Sequence, residues 1–447
     1  MSERAQRLIE AVRRPVPEGT YVVGAGLLVS GVTTYGFQIL SYRLLSKPDY
    51  AALTALWVFV FVLAPGFFLP LEQEVGRAVA ERRARGIGGG PVTKRAAAVG
   101  AGLVAVLALL TIAVSLFTPV VHSLFQGNAG LAACLVIGLV TYCVQHLTRG
   151  TLAGNGRFGP YGLILGAEGV IRLLPCAVLA AGGVTNPFYY GLCLAIPPVL
   201  AALVSLRGQH GLLAPGPNAP WSELSTNLGY LLFGSLFAQS LSYAPFLGAQ
   251  LLATHAQRNA VADFIVGLFL ARIPILLFQA VQAALLPKLA GLASAGRHED
   301  FRNGVRKLVA VVVAIGLIGV VAGGTLGPFV GKILFGSKFT LGNADLALLA
   351  AGSGLFILAL TLAQALIALM GHSRALIAWA AGIVAFVVVT AVTGPDLFLR
   401  VEIGSIAGAG ASAAMMALML IPRMREGIGA GSLTELVQQI EHEPLEI

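Results

Sequence analysis

The second half of this chain repeats the first at an offset of about 210 residues, and both halves consist of apolar runs long enough to cross a bilayer. Gly154-Asn155-Gly156-Arg157 matches Gly371-His372-Ser373-Arg374; each closes one apolar run and opens the next, at the same rank in its half. Thr34-Tyr35 matches Ser242-Tyr243, and the stretch from Pro65 to Gln73 matches that from Pro274 to Gln282. A chain built in this way is confined to two equivalent membrane halves. Duplicated halves that face each other across a central cavity are a transporter architecture.

Only 11% of the residues are charged, against roughly 25% in soluble domains, and mean hydropathy is +0.85. The alternating ten-residue pattern of an outer-membrane barrel is absent, which leaves helices as the way to satisfy the backbone in lipid. Twelve spans are expected, at 19–45, 51–79, 96–118, 128–153, 160–182, 187–206, 226–252, 261–288, 305–327, 344–370, 374–393 and 401–421. The expected fold is all-α and polytopic, with two pseudo-symmetric six-helix lobes around a central cavity. Residues 1–206 form the N-terminal lobe, opening on a short basic amphipathic segment, and 226–421 form the C-terminal lobe. Residues 207–225, rich in Gly and Pro, are the linker. In the tail, 422–447, Ser432 stands three residues before Glu435, a capping-box spacing, and Leu433, Leu436, Val437 and Ile440 continue with helical periodicity.

If both termini lie in the cytoplasm, 21 of the 29 Lys and Arg residues fall on the inner side and six on the outer side. Arg172 and Arg272 remain inside spans. The positive-inside rule therefore places both termini on the cytoplasmic side of a bacterial cytoplasmic membrane. The basic charge is read as contact with membrane lipids, not with nucleic acid. The first apolar run, at about 25 residues, is too long for a cleavable signal core of about 7–15. Cys134, Cys143, Cys176 and Cys193 sit in spans without metal-ligand spacing, and the seven histidines are scattered. There is no Walker A motif, and no loop is large enough to fold as a catalytic domain. An enzyme is not expected, and Gly408-Ala409-Gly410 is read as helix packing, not as a nucleotide loop.

A charge inside the bilayer costs about 2.5–3.5 kcal/mol on insertion scales, so each one must be accounted for. Arg272 lies near the middle of span eight with no acid on its own helical face; Gln279 shares that face and Gln282 adjoins it. It either meets an anionic substrate or pairs with an acid from another span. Span seven carries a stripe of Ser235, Gln239, Ser242, Tyr243 and Gln250, echoed in span one by Thr34, Gln38 and Ser41 with Arg43 near the outer end. Such stripes suit cavity walls or interhelical hydrogen bonds. Span two carries Glu72, Gln73, Glu74 and Arg77, with Glu74 and Arg77 spaced to pair and Glu72 left over. Span four ends on Gln145 and Arg149, a headgroup or substrate contact. In span five, Glu168 four residues before Arg172 has the spacing of a structural ion pair. Pro65 and Pro274 occupy matching places and are expected to bend their helices.

Three stretches carry a family resemblance: Glu72-Gln-Glu-Val-Gly-Arg77, Arg149-Gly-Thr-Leu-Ala-Gly-Asn-Gly-Arg157, and Pro274-Ile-Leu-Leu-Phe-Gln279 through Leu286-Pro287-Lys288-Leu289. In order and spacing they resemble the multidrug/oligosaccharidyl-lipid/polysaccharide (MOP) exporter superfamily, nearest its polysaccharide-biosynthesis, Wzx-like flippase branch. The resemblance implies alternating access, with spans one, two, seven and eight lining the cavity. It implies a polyprenyl-diphosphate-linked glycan as substrate, moved from the inner to the outer leaflet, with a glycan polymerase or other assembly proteins as partners. Arg272, Gln279, Gln282, Gln239, Tyr243, Gln250, Gln38, Arg43, Glu72, Gln73, Arg77 and Arg149 are then the expected substrate-binding residues. An arginine fork suits a diphosphate. No cofactor is implied, and coupling to H⁺ or Na⁺ stays open. The alternatives are a cation-coupled, MATE-like drug exporter and a lipid II flippase.

Overall fold

The computed structural model describes residues 20–224, 228–275, 278, 291–292, 297–369 and 371–426, and every regular element among them is helical. The first half holds α1 (Thr20–Leu44), α2 (Lys47–Ala84), α3 (Gly90–Phe117), a one-turn α4 (Val120–Leu124), α5 (Ala129–Gly154), α6 (Phe158–Ala181), α7 (Pro187–Ala195) and α8 (Pro197–Leu206). The second half holds α9 (Leu228–Leu252), α10 (Arg258–Ala271), α11 (His298–Phe335), α12 (Asn343–Ala368), α13 (His372–Val392) and α14 (Leu397–Glu426). The basic N-terminal segment, the tail helix around Leu436, Gln279 and Gln282 lie outside the described residues.

Ten helices among the described residues are long and apolar enough to cross a membrane, with α7 and α8 counted as one span. The chain is a multi-pass membrane protein. The other two expected spans differ for separate reasons. Helix α9 is 25 residues long, but the serines and glutamines of its stripe dilute its hydropathy. Span eight is interrupted: α10 stops at Ala271, Arg272 forms a turn, and helix resumes at Ile273.

The sequence repeat is a repeat of packing. Helix α1 lies against α6 as α9 lies against α13, and α2 lies against α5 as α10 lies against α12. Small residues make these approaches close, as they do between helices in lipid, where exclusion from water no longer drives association. A Cβ on Gly162 of α6 would stand 2.6 Å from the Val22 carbonyl oxygen of α1. In the other lobe a Cβ on Gly408 of α14 would stand 2.9 Å from the Gly382 carbonyl oxygen of α13. Gly408-Ala409-Gly410 is thus a packing surface, as expected from its place inside a span.

The two lobes meet chiefly where α2 runs along α9. One aromatic cluster crosses that seam: Trp57 of α2 meets Phe269 of α10 edge-on at 6.0 Å, and Phe269 meets Phe246 of α9 at 5.3 Å. The matched prolines do not behave alike. Pro65 is held within a continuous α2, and its carbonyl accepts from Ser235 Oγ at 3.0 Å. Pro274 follows the break in span eight. Lacking an N–H, it cannot bond back to Leu270; one residue earlier, where the helix turns, the Phe269 carbonyl accepts from Arg272 N at 3.1 Å and, across the seam, from the Tyr35 hydroxyl at 2.8 Å.

Candidate functional site

Arg272 occupies the turn at the end of α10. Its Nη1 and Nη2 donate to the carbonyl oxygen and hydroxyl of Ser242, at 3.1 and 2.6 Å. The guanidinium lies over the Tyr243 ring, 4.1 Å from its centroid, and 5.4 Å from that of Phe246. The carbonyl end of α10 and the two rings soften its charge without cancelling it. No described carboxylate pairs with it.

Inside the other lobe, Arg149 and Arg172 are each paired with an acid. Glu72 of α2 is 5% exposed and gathers three partners: His146 Nδ1 at 2.7 Å, the Tyr161 hydroxyl at 2.8 Å and Arg149 Nη2 at 3.1 Å. Arg149 also donates to the Tyr161 hydroxyl at 2.9 Å and stacks over its ring. Arg149 is half-buried, with its guanidinium turned into the lobe toward Glu72 and Tyr161. Glu168 takes Arg172, the Tyr142 hydroxyl at 2.8 Å and Gln145 Nε2 at 2.9 Å, which is the structural pair the spacing suggested. Arg77 pairs with Glu74 and Glu81, each at 3.0 Å. Gln73 is exposed on the same helix.

The matched hydroxyls of the repeat each hold an arginine, but not an equivalent one. Thr34 Oγ1 accepts from Arg172 of α6 at 3.1 Å, where Ser242 accepts from Arg272 of α10. Arg172 also lies over Trp57 and Phe61. The two arginines thus flank one aromatic cluster, one with its acid and one without.

The α9 stripe is divided between the seam and Arg272 of its own lobe. Ser235 reaches the Pro65 carbonyl, Ser242 and Tyr243 hold Arg272, and Gln250 Nε2 donates to the Ala51 carbonyl at 2.6 Å. Gln239 is half-buried on the same helix. In α1, Gln38 is 1% exposed and accepts from the Tyr50 hydroxyl at 3.0 Å, inside its own lobe.

The hydrogen bonds that join the lobes cluster at the end away from the arginine-rich loops. Asp263 of α10 is 2% exposed and accepts from the Tyr42 hydroxyl at 2.5 Å, Lys47 Nζ at 2.9 Å and Thr340 Oγ1 at 2.6 Å. Tyr42 and Lys47 belong to the first half, Asp263 and Thr340 to the second. Arg43 donates to the carbonyls of Leu334 and Ile333, at 2.9 and 2.8 Å, and so caps the last turn of α11 from the opposite lobe. Asp263, Tyr42 and His146 are not among the site residues expected from the sequence, because their roles depend on partners 221 and 74 residues away.

At the arginine-rich end the linker is pinned to the first lobe. Arg82 Nε and Nη2 grip the two Glu223 oxygens at 2.8 and 2.9 Å, and Arg77 Nη2 bonds the Glu223 carbonyl at 2.7 Å. The hydrogen-bonded Arg82 guanidinium holds the Glu223 carboxyl below its ordinary value, which is about 4.3. A lowered folded value means the contribution is complete above the ordinary one and is lost as pH falls through the lowered one. Hydrogen exchange of residues 213–224 should therefore stay slow at pH 6 and quicken only below the ordinary carboxylate value. Glu223→Gln should quicken it already at pH 7, by a few-fold, because the site is partly exposed.

Among the described residues no group of His, Cys, Asp or Glu has a metal-binding arrangement. The fold does have close counterparts. The inward-facing structure of a multidrug resistance MATE family transporter of the MOP superfamily overlays with a TM-score of 0.71 at 14% identity, covering 92% of this chain and 99% of that one. The outward-facing structure of such a transporter gives 0.65 at 15%, covering 92% and 97%. A Vibrio cholerae MATE transporter gives 0.66 at 14%, also covering 92% and 97%. The chain has the MATE transporter fold. No protein-family profile matches it. In sequence it is similar to two uncharacterized proteins of Mycobacterium tuberculosis. Rv1510 is 27% identical over 386 residues, 83% of this chain and 84% of that protein. Rv3630 is 26% identical over 256 residues, 55% and 56% respectively.

Proposed function

We propose that this chain is an alternating-access flippase that moves a polyprenyl-diphosphate-linked glycan from the inner to the outer leaflet of the cytoplasmic membrane, within the flippase branch of the MOP superfamily. The observation that carries this reading is Arg272: a half-buried arginine at the seam of a MATE fold, with no described acid beside it, while the buried arginines of the other lobe all have one. A positive site between lobes attracts an anion, and a guanidinium matches phosphate oxygens with paired donors. With the arginine-rich loops inside, the Asp263 and Arg43 contacts close the outer end, and the molecule stands ready to load from within. The greater overlap with the inward-facing MATE structure agrees. Depletion of the protein in its own cell should cause the lipid-linked glycan to accumulate on the inner leaflet, measured by extracting polyprenyl-diphosphate species. Unchanged precursor levels would count against the reading.

A second reading, a cation-coupled drug exporter, is favoured by Glu402. This acid of α14 is 0% exposed, and neither of its oxygens has a hydrogen-bond partner among the described residues. Ethidium efflux driven by a proton or sodium gradient in vesicles, without precursor build-up in depleted cells, would select it.

A further inference from the structure

The break at Arg272 lies between two cavities that differ in polarity. On one side Arg272 shares a narrow space of about 20 Å³ with Ser242, Ser353 and Ser405, set among apolar side chains such as Leu268 and Phe356. On the other, the residues flanking it, Ala271 and Ile273, line an apolar groove of about 250 Å³ that carries no polar side chain. Its far wall is the glycine face of α11, Gly316, Gly319, Gly323 and Gly327, and its floor is formed by α12. The lining of α11 runs from Ile315 to Val330, about 22 Å of helix at 1.5 Å per residue. The groove is therefore long and narrow, at membrane depth, and it starts at the arginine and runs toward the latched end.

We infer that this groove seats the hydrocarbon tail of the lipid whose diphosphate is held at Arg272, an assignment that rests on the function proposed above. A chain fits its shape and a compact headgroup does not. Its direction is also the required one: a lipid entering headfirst from the arginine-rich side keeps its tail pointing toward the opposite face. The tail stays in apolar surroundings while the diphosphate exchanges water for Arg272 and the nearby serine hydroxyls, so neither part is transferred to the wrong medium.

Gly319 offers the test, because a Cβ added there meets its nearest atom, Pro274 Cγ, only at 4.0 Å, so a larger side chain enters the groove and not a backbone. Binding of geranylgeranyl diphosphate and of inorganic diphosphate is measured on the purified full-length protein in nanodiscs. The wild type should bind the prenyl compound at least tenfold more tightly. Gly319→Leu should remove that preference and leave the affinity for inorganic diphosphate unchanged, which also shows that the variant is folded; Ala322→Phe, on the same wall, should do likewise. Arg272→Gln should weaken both ligands. A full chain preference retained in both groove variants would overturn the assignment while leaving the flippase reading intact. Equal competition by phosphatidylglycerol would overturn it too, making the groove an ordinary lipid site. If the wild type binds neither diphosphate, the proposed function fails and the tail site with it.

Discussion

Replacing Arg272 with glutamine should leave the protein in the membrane at its normal level and reduce export by about two orders of magnitude. The level should hold because Arg272 has no described ionic partner to be left uncompensated, and glutamine can still donate to Ser242. Export should fall because the variant loses the charge-assisted contacts to the diphosphate. Hydrogen bonds to charged groups contribute about 1.5–3 kcal/mol each, and every 1.4 kcal/mol is about tenfold in affinity. Arg272→Lys should recover only part of the loss, since an ammonium keeps the charge and loses the paired geometry. The contrast with Arg172 sharpens the test. Removing that arginine leaves Glu168 buried without its counter-charge, so Arg172→Gln should lower the protein level itself. Immunoblotting of membranes together with assay of the exported glycan separates the two outcomes. Wild-type export by Arg272→Gln would end the role assigned to it.

The second large effect is expected at Asp263. Its carboxylate holds Tyr42 and Lys47 of one lobe and Thr340 of the other, so Asp263→Ala removes two contacts that cross the seam. At about 1.5 kcal/mol or more for each charged contact, the balance between the latched and unlatched states should move by roughly a hundredfold. A cysteine pair at positions 51 and 250, where Gln250 meets the Ala51 carbonyl, reports the latched state. Its crosslinking should fall at least tenfold in Asp263→Ala. Lys47→Met should give a smaller fall, because the Lys47 side chain is 28% exposed and water already competes for it. Transport should drop in both variants, since a transporter that cannot close one end cannot alternate. Undiminished crosslinking in Asp263→Ala would show that the latch lies elsewhere.

Hydropathy, the repeat and the position of basic residues were enough to read helices, their number and order, and the pairing of equivalent spans. These properties are local or periodic: about 20 apolar residues must cross as a helix whatever surrounds them. The Glu168–Arg172 and Glu74–Arg77 pairs were legible for the same reason, since three- and four-residue spacings place both partners on one helix face. The repeat also pointed to Thr34 and Ser242 as equivalent, and both do hold arginines. Which arginine each one holds was not legible, because Arg172 and Arg272 come from non-equivalent helices.

Beyond those two intrahelical pairs, tertiary structure decided which intramembrane charges are satisfied. Glu72 was left over in the sequence and has three partners in the structure, because α5 and α6 bring His146, Arg149 and Tyr161 to it. Arg43 reads as a site residue in sequence and serves as a cap on α11. Gln38 and Gln250 read as cavity walls and bond to Tyr50 and to the Ala51 backbone. A polar side chain in a span states only that some partner must exist, since leaving it bare in lipid costs several kcal/mol. The identity of that partner depends on which helix faces come together, and the contacts that settle it here lie as far as 291 residues apart in the chain.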